Sequence, residues 1–248
     1  MTAIAVLGLG EAGGRLAADL VAAGADVRGY DPAGIEVPGV INESDVKAAV
    51  SGSHVVLSVN SAAVAAEAAV AALPALGEAV YADLNTTAPA LKRELAAVVE
   101  RFADVALLGP VPATGLQTRA LASGSGAQAF ADALGALGMP VEIVSDRAGD
   151  AATLKLLRSV FMKGLAASVT ESLDAAEAAG HDEWLEDQID EVIGRPMRER
   201  LVEGSRRHAV RRAEEMGAAR ELLIELGVEP RIASASAALL AEMAAASR

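Results

Sequence analysis

The chain has no cysteine, which excludes disulfides and thiolate-ligated metal sites. Its three histidines are scattered, so a structural zinc site is not expected and no metal is assigned. Aromatic residues are nearly as scarce, with one Trp, two Tyr and three Phe. The core must therefore be built from alanine and aliphatic side chains, which favours closely packed helices. Basic residues are the minority, 21 Lys and Arg against 34 Asp and Glu, for a net charge of −13. Nucleic acid and anionic membranes both reward a basic surface, so neither is expected as a main partner. No uncharged stretch reaches the ~18 apolar residues needed to span a membrane. The opening "MTAIAVLGLGEAGG" is apolar but lacks a basic leader and soon breaks into glycines. It reads as a buried strand rather than a signal peptide. A soluble cytoplasmic protein is the resulting expectation.

What is present is an apolar share of 52%, enough for one large or two smaller globular domains. Up to residue 147, short apolar runs alternate with helical patterns. Strands are expected at 3–10, 26–31, 54–59, 79–84, 105–110 and 140–144, and helices at 12–23, 61–73, 88–102 and 126–137. Strands apolar on both faces and separated by helices imply a mainly parallel sheet covered on both sides. Beyond residue 148 the pattern is helical throughout. In 149–180, Leu154, Leu157, Phe161, Leu165, Val169 and Leu173 recur at three- and four-residue spacing, and Gly180 is a natural stop. Segments 181–194, 195–226 and 230–246 also read as helices, with Trp184 a packing anchor. The expected class is α/β: a doubly wound, mainly parallel nucleotide-binding domain over 1–147, then an all-α domain over 148–248.

The stretch "GLGEAGG" at residues 8–14 meets three requirements of a dinucleotide-binding turn. It follows a strand, it opens a helix, and an acid ends the next strand about 20 residues later. Gly8 permits the tight turn, Gly10 lets backbone N–H groups approach a diphosphate, and Gly13 allows close packing of helix on strand. Leu9, Glu11 and Ala12 complete the loop, whose helix N-terminus faces the phosphates. Asp31 is placed to accept both hydroxyls of the adenosine ribose. A carboxylate there repels a 2′-phosphate and favours NAD(H), while the nearby Arg28 keeps NADP(H) open.

The carboxyl ends of the parallel strands should carry the site. "SVNSAAV" places Asn60 and Ser61 there, and "DLNTTAP" places Asn85, Thr86 and Thr87 near the expected nicotinamide ribose. Ser, Thr and Asn are also common helix caps, so each has that alternative role. His208, Arg211, Arg212 and Glu215 fall on one face of the expected helix. That face reads either as a solvated or subunit-contact surface or as a grip on an anionic substrate.

In order, the strand–GLGxxG–helix–strand–Asp unit, "SVN", "DLNTTAP", "GPVPATG" and a lysine early in the first long helix resemble the β-hydroxyacid dehydrogenases. That family includes the 3-hydroxyisobutyrate and 6-phosphogluconate dehydrogenases. The resemblance covers residues 3–180, and "SRRHAVRRAEEM" (205–216) looks like a branch with a phosphogluconate-dehydrogenase-like C-terminal domain. It implies a Rossmann domain, an all-α domain used for homodimerisation, and reversible oxidation of a small β-hydroxy acid or related anionic compound by a nicotinamide cofactor. It also implies a lysine general acid/base six residues after a glycine, which is Lys155 counted from Gly149. Lys163, two turns further along a similar face, is the second candidate. A surface lysine is ordinarily a solvated spectator, but one facing the nicotinamide could donate to the substrate oxygen.

Two departures from the family put the usual substrate in doubt. K-x-x-N-N is replaced by a sequence with Arg158 and Ser159, and P-V-S-G-G by Pro112, Ala113 and Thr114 within "PVPAT". Pro112 brings neither hydroxyl nor N–H, whereas Arg158 can grip a carboxylate or phosphate. An imine or keto reductase on the same scaffold, and a dinucleotide-binding sensor without turnover, stand as alternatives.

Overall fold

A computed structural model of the chain describes residues 2–246. The chain divides into two compact units, Met1–Lys155 and Leu156–Arg248. The first is α/β. Its strands are β1 (Ala3–Leu7), β2 (Asp26–Tyr30), β3 (Ile41–Asn42), β4 (Val55–Ser58), β5 (Val80–Asp83), β6 (Phe102–Leu107), β7 (Ala120–Ser123) and β8 (Val141–Ser145). Its helices are α1 (Glu11–Ala22), α2 (Val46–Val50), α3 (Ala65–Leu76), α4 (Pro89–Val98), α5 (Val111–Thr114) and α6 (Ala127–Gly135), followed by the start of α7 (Asp150–Ala179).

The sheet order is β3-β2-β1-β4-β5-β6-β7-β8, parallel throughout except for β6 against β7. The expected mainly parallel sheet is therefore observed. Its direction of winding reverses between β1 and β4, the place where such sheets hold ligands. Side chains alternate between two apolar layers, as a sheet buried on both faces requires. Ile4 and Val6 pack with Leu16, Leu20 and Phe130, while Ala5 and Leu7 pack with Ala69, Ala72, Tyr81 and Phe102.

Three sequence expectations are corrected here. The helix expected over 88–102 ends at Val98, and the next strand starts at Phe102, not at residue 105. Phe102 is wholly buried, and burial of that side chain on the sheet outweighs continuation of the helix. β3 and β7 were not anticipated. β3 has only two residues, and "ALAS" carries little β-branched signal although Ala120, Ala122 and Ser123 are fully buried.

The second unit is helical, with most of α7 followed by α8 (Asp182–Ile193), α9 (Arg195–Arg207), α10 (Ala209–Glu225) and α11 (Arg231–Ala246). Helix α7 ends at Gly180 as its sequence suggests: Gly180 has φ +72° and His181 N–H bonds Ala176 O at 2.8 Å, closing the final turn. The face of α7 that packs into this unit matches the expected stripe only in its C-terminal half. Val169 is buried and Leu165 and Leu173 pack beside it, whereas Leu154, Leu157 and Phe161 are exposed and Leu156, Ser159 and Ala166 are buried instead. Small and polar residues occupy much of the inner face of the first half, so hydrophobic spacing pointed to the wrong side there. Trp184 is also exposed, at 64%, on a helix that fully buries none of its residues, and is no packing anchor.

The single helix expected over 195–226 is two, broken at His208 with φ −122°. Arg212 lies against Gly204 and donates to Ser205 Oγ at 2.8 Å and Leu201 O at 3.4 Å. A cation thereby satisfies a late carbonyl of α9, a long-range contact that helical periodicity does not register. Arg198, nearly buried, grips Asp190 with two nitrogens at 2.7 and 3.0 Å.

Candidate functional site

The turn after β1 is dense on one side and open on the other. Gly8 has φ +96°, and a Cβ there would lie 2.4 Å from Val59 O and 2.7 Å from Asn60 Oδ1. A Cβ on Gly13 would lie 1.9 Å from Gly8 O. Around Gly10, by contrast, a Cβ would meet nothing within 4 Å. Gly10 is the N-cap of α1 and supplies no side-chain cap. The first-turn N–H groups of Glu11, Ala12 and Gly13 therefore lack intrahelical acceptors and face this open side with the positive end of the helix dipole.

Asp31 closes the turn from the β2 side. Its Oδ2 accepts from Leu9 N–H at 2.7 Å and its Oδ1 from Ala33 N–H at 2.8 Å. Each carboxylate oxygen retains a lone pair for a further donor. Arg28 Nη1 lies 3.4 Å from Glu43 Oε1, so the cation on the same strand is engaged by an acid of its own.

At the exit of β4, Asn60 Nδ2 donates to Ser58 Oγ at 3.0 Å, and Ser61 is exposed ahead of a short 3₁₀ turn. At the exit of β5, Asn85 Nδ2 donates to the same Ser58 Oγ at 3.1 Å and to Asp83 Oδ1 at 2.5 Å. Asn85 Oδ1 and Thr87 Oγ1 are buried and have no hydrogen-bond partner among the described residues. Thr86 Oγ1 accepts from Lys155 Nζ at 2.6 Å. β1, β4 and β5 run parallel and adjacent, so their exits share one edge of the sheet. The glycine turn, Asn60, Thr86 and the Lys155 amine belong to that edge.

The most buried charges lie just beneath it, and the sequence did not reveal them. Lys92, 1% exposed, donates to Asp83 O at 2.8 Å and Asn85 O at 2.9 Å. Its Nζ also lies 2.9 Å from Asp83 Oδ2 and 3.4 Å from Asp104 Oδ1. Burial works against its charge, but the facing Asp83 and Asp104 carboxyls outweigh burial and raise its pKa. Within "ALKREL" Lys92 looks like any exposed helix lysine, and only the fold turns it inward.

Pro112, Ala113 and Thr114 form part of a short helical turn, α5, seated on α1. Arg15 Nη1 donates to Pro112 O at 3.0 Å, and Asp19 Oδ2 accepts from Leu116 N–H at 2.8 Å. Pro112 and Ala113 are exposed, while Thr114 Oγ1 is turned toward Thr118 Oγ1 at 2.5 Å.

The remaining candidates lie in the second unit. Arg158 and Arg211 are exposed and His208 is half-buried at the break between α9 and α10. Ser159 is buried and donates to Glu215 Oε1. Lys163 Nζ lies 3.0 Å from the same oxygen. Burial lowers the Lys163 pKa, and the Glu215 charge only partly restores it. Removing one partner of a buried pair leaves the other uncompensated, so Glu215→Leu is expected to cost about 3 kcal/mol of stability. The sign of its pH dependence follows from the lowered pKa. A cation destabilised in the folded state sheds its proton there first, so the loss should shrink as pH rises toward the ordinary lysine value of about 10.4. Urea denaturation across that range checks both the size and the trend.

A dinucleotide fits the residues of the first unit. The space at Gly10 would admit a diphosphate beside the α1 N-terminus, Asp31 has capacity for ribose hydroxyls, and Asn85 Oδ1 and Thr87 Oγ1 are buried acceptors awaiting donors. No group of three or more His, Cys, Asp or Glu among the described residues could hold a metal, and no described helix is long and apolar enough to cross a membrane.

Residues 176–243 match the model of a domain of unknown function, DUF1932. A conserved hypothetical protein from Sinorhizobium meliloti shares 31% identity, with 97% of this chain and 88% of that one covered, at a TM-score of 0.76. An uncharacterized 28.5 kDa protein in the 7S RNA 5′ region of Methanothermus fervidus is 29% identical over 157 residues, 61% of either chain. The match thus spans less than two thirds of that curated relative. At lower identity, the fold is that of a Mycobacterium tuberculosis 3-hydroxyisobutyrate dehydrogenase solved with L-serine (22%, 99% and 94% covered, TM-score 0.83). It is also that of a Myxococcus stipitatus imine reductase variant solved with NAD+ (19%, 99% and 94% covered, TM-score 0.67).

Proposed function

Because this chain belongs to the same family as the Sinorhizobium meliloti protein and has the fold of the 3-hydroxyisobutyrate dehydrogenases, we propose that it is an NAD(H)-dependent oxidoreductase acting on a small anionic β-hydroxy compound. The resemblance to the β-hydroxyacid dehydrogenases is borne out in the fold. The observation that carries the catalytic reading is the Lys155 amine at 2.6 Å from Thr86 Oγ1, on the edge of the sheet that also holds the glycine turn. As an ammonium Lys155 would have N–H groups for both Thr86 and a substrate oxygen, and as a neutral amine it would keep an N–H for Thr86 and turn its lone pair to the substrate hydroxyl.

When bound, the nicotinamide accepts or supplies the hydride. The rest falls to the chain. The N-terminus of α1 would hold the diphosphate, Asp31 the adenosine ribose, and Asn85 and Thr87 the groups that enter beside β5. Lys155 would take the hydroxyl proton as the substrate carbon is oxidised and return it in the reverse direction. The cofactor choice rests on charge: Asp31 would face the ribose, and Arg28 is already paired with Glu43. Of the second-unit candidates, Lys163 and Ser159 are bonded to Glu215, and the reading of Lys155 as the proton carrier rests on its place beside Thr86.

Separate titrations with NADH and NADPH, followed by a turnover screen over hydroxy acids, sugar acids and imines, test this reading. NADH is expected to bind about tenfold more tightly, a difference of ~1.4 kcal/mol. Asp31→Asn should reduce that preference. Tighter NADPH binding by the unaltered protein would overturn the cofactor choice. Tight NADH binding without turnover on any of these compounds would favour the sensor, and turnover of imines alone the reductase.

A further inference from the structure

We propose that Lys92 and Asp104 are positioning residues that set the Lys155 amine against Thr86, through one buried ion linking the exit of β5 to the start of α7. The proposal rests on the reading of Lys155 as the proton carrier and assigns work to residues that do not touch the reactants.

The linkage has two arms. On one side, Lys92 Nζ binds the main-chain carbonyls of Asp83 and Asn85 at 2.8 and 2.9 Å, which are the residues leading directly into Thr86. On the other, Asp104 Oδ1 faces the same Nζ at 3.4 Å, while Asp104 Oδ2 accepts from Gly149 N–H and Ala152 N–H, each at 3.0 Å. Those two amides open α7, the helix that presents Lys155 at its second turn. Ser123 Oγ reinforces this arm by donating to Asp104 Oδ2 at 3.1 Å and accepting from Ala151 N–H at 3.0 Å. A carboxylate at a helix N-terminus is stabilised by the dipole, so Asp104 alone could cap α7. What capping does not explain is the buried cation.

An ammonium and two carboxyl groups removed from water are expensive, and apolar side chains of similar size often stabilise as well or better. The arrangement is instead suited to geometry. Hydrogen bonds from one nitrogen to two carbonyls, with ion-pair contacts to two carboxylates, tie the strand exit to the helix start. A misplacement of ~1 Å at a reacting group can lower a rate about a hundredfold, so a rigid tie between Thr86 and Lys155 has a chemical use that packing would serve less well.

Asp104→Asn separates the two roles. The amide oxygen can still accept the α7 N–H groups, while the amide nitrogen can no longer attract Lys92, which keeps its pair with Asp83. In the holoprotein, kcat is expected to fall about tenfold to a hundredfold, with the NADH dissociation constant unchanged. A second readout needs no turnover. Trace acetylation with acetic anhydride, quantified at each lysine by mass spectrometry, should show altered Lys155 reactivity in the variant, with Lys163 unchanged as an internal standard. If Asp104→Asn does not fold, Ser123→Ala weakens the same arm and should shift Lys155 labelling in the same direction. A folded variant with unaltered Lys155 labelling and unaltered kcat, differing only in melting temperature, would overturn the proposal. If the unaltered protein turns over nothing, the labelling result still decides the positioning role, and the turnover screen alone counts against the dehydrogenase reading.

Discussion

Lys155→Ala is expected to lower kcat by roughly two to four orders of magnitude, the usual contribution of a positioned general acid or base, while leaving NADH affinity essentially intact. The amine sits at the strand-exit edge of the first unit's sheet, 2.6 Å from Thr86 Oγ1, and not in the glycine turn or beside Asp31. Its loss therefore removes a proton carrier without disturbing the diphosphate or adenosine contacts. Lys155 is only half-buried, so truncation should have little effect on stability, and a melting curve close to that of the unaltered protein is part of the expectation. Stopped-flow measurement of the hydride step with an identified substrate gives the decisive number. Turnover within a few-fold of the unaltered protein would remove Lys155 from the reaction, and the loss of kcat in Lys163→Ala would then have to be compared.

Gly13→Ala and Gly10→Ala are expected to weaken cofactor binding for different physical reasons. A Cβ at Gly13 would sit 1.9 Å from the carbonyl oxygen of Gly8, a backbone atom that cannot swing aside. Helix α1 must then shift away from β1, costing about 1–3 kcal/mol through overpacking and moving the N–H groups that would face the diphosphate. At Gly10 nothing lies within 4 Å and φ is −61°, a value any residue adopts. Alanine there should leave the melting temperature unchanged yet place a methyl group in the space a diphosphate would occupy. Calorimetric titration with NADH should show at least about a tenfold loss in both variants, ~1.4 kcal/mol, with thermal unfolding separating them. Normal NADH affinity in Gly10→Ala would mean that the cofactor does not lie along this turn.

The contrast between those glycines indicates which parts of the site were legible in the chain. Gly8, Gly10, Gly13 and Asp31 carry signals confined to about 25 consecutive residues, because the turn, the helix start and the end of the second strand are neighbours in sequence. Asn60 and Thr86 were found by the same logic, each following an apolar strand. Position along a strand exit, however, gave no account of what each would touch. Asn60 packs over Gly8 and bonds Ser58, while Thr86 receives Lys155. The C-terminal helices were legible as helices but not in their faces. The inner side of α7 carries Ser159, Lys163 and Ala166, packed against residues many positions away, so Leu154, Leu157 and Phe161 of the expected stripe point outward while Leu165, Val169 and Leu173 pack inward.

The sequence by itself determined the alternation of the main strands and helices in the first unit, the glycine turn after β1 and the acid that closes it, since each depends on local backbone geometry, apolar periodicity and short spacing. Only the tertiary structure decided that Lys92 is a buried ion, that Asp104 caps the helix bearing Lys155, and that Lys163 belongs to Glu215. A charged residue's role is set by the dielectric around it and the charges that face it. Those are brought together from 45 or more positions apart in the case of Asp104 and the α7 amides, by the closing of the sheet and not by any pattern along the chain.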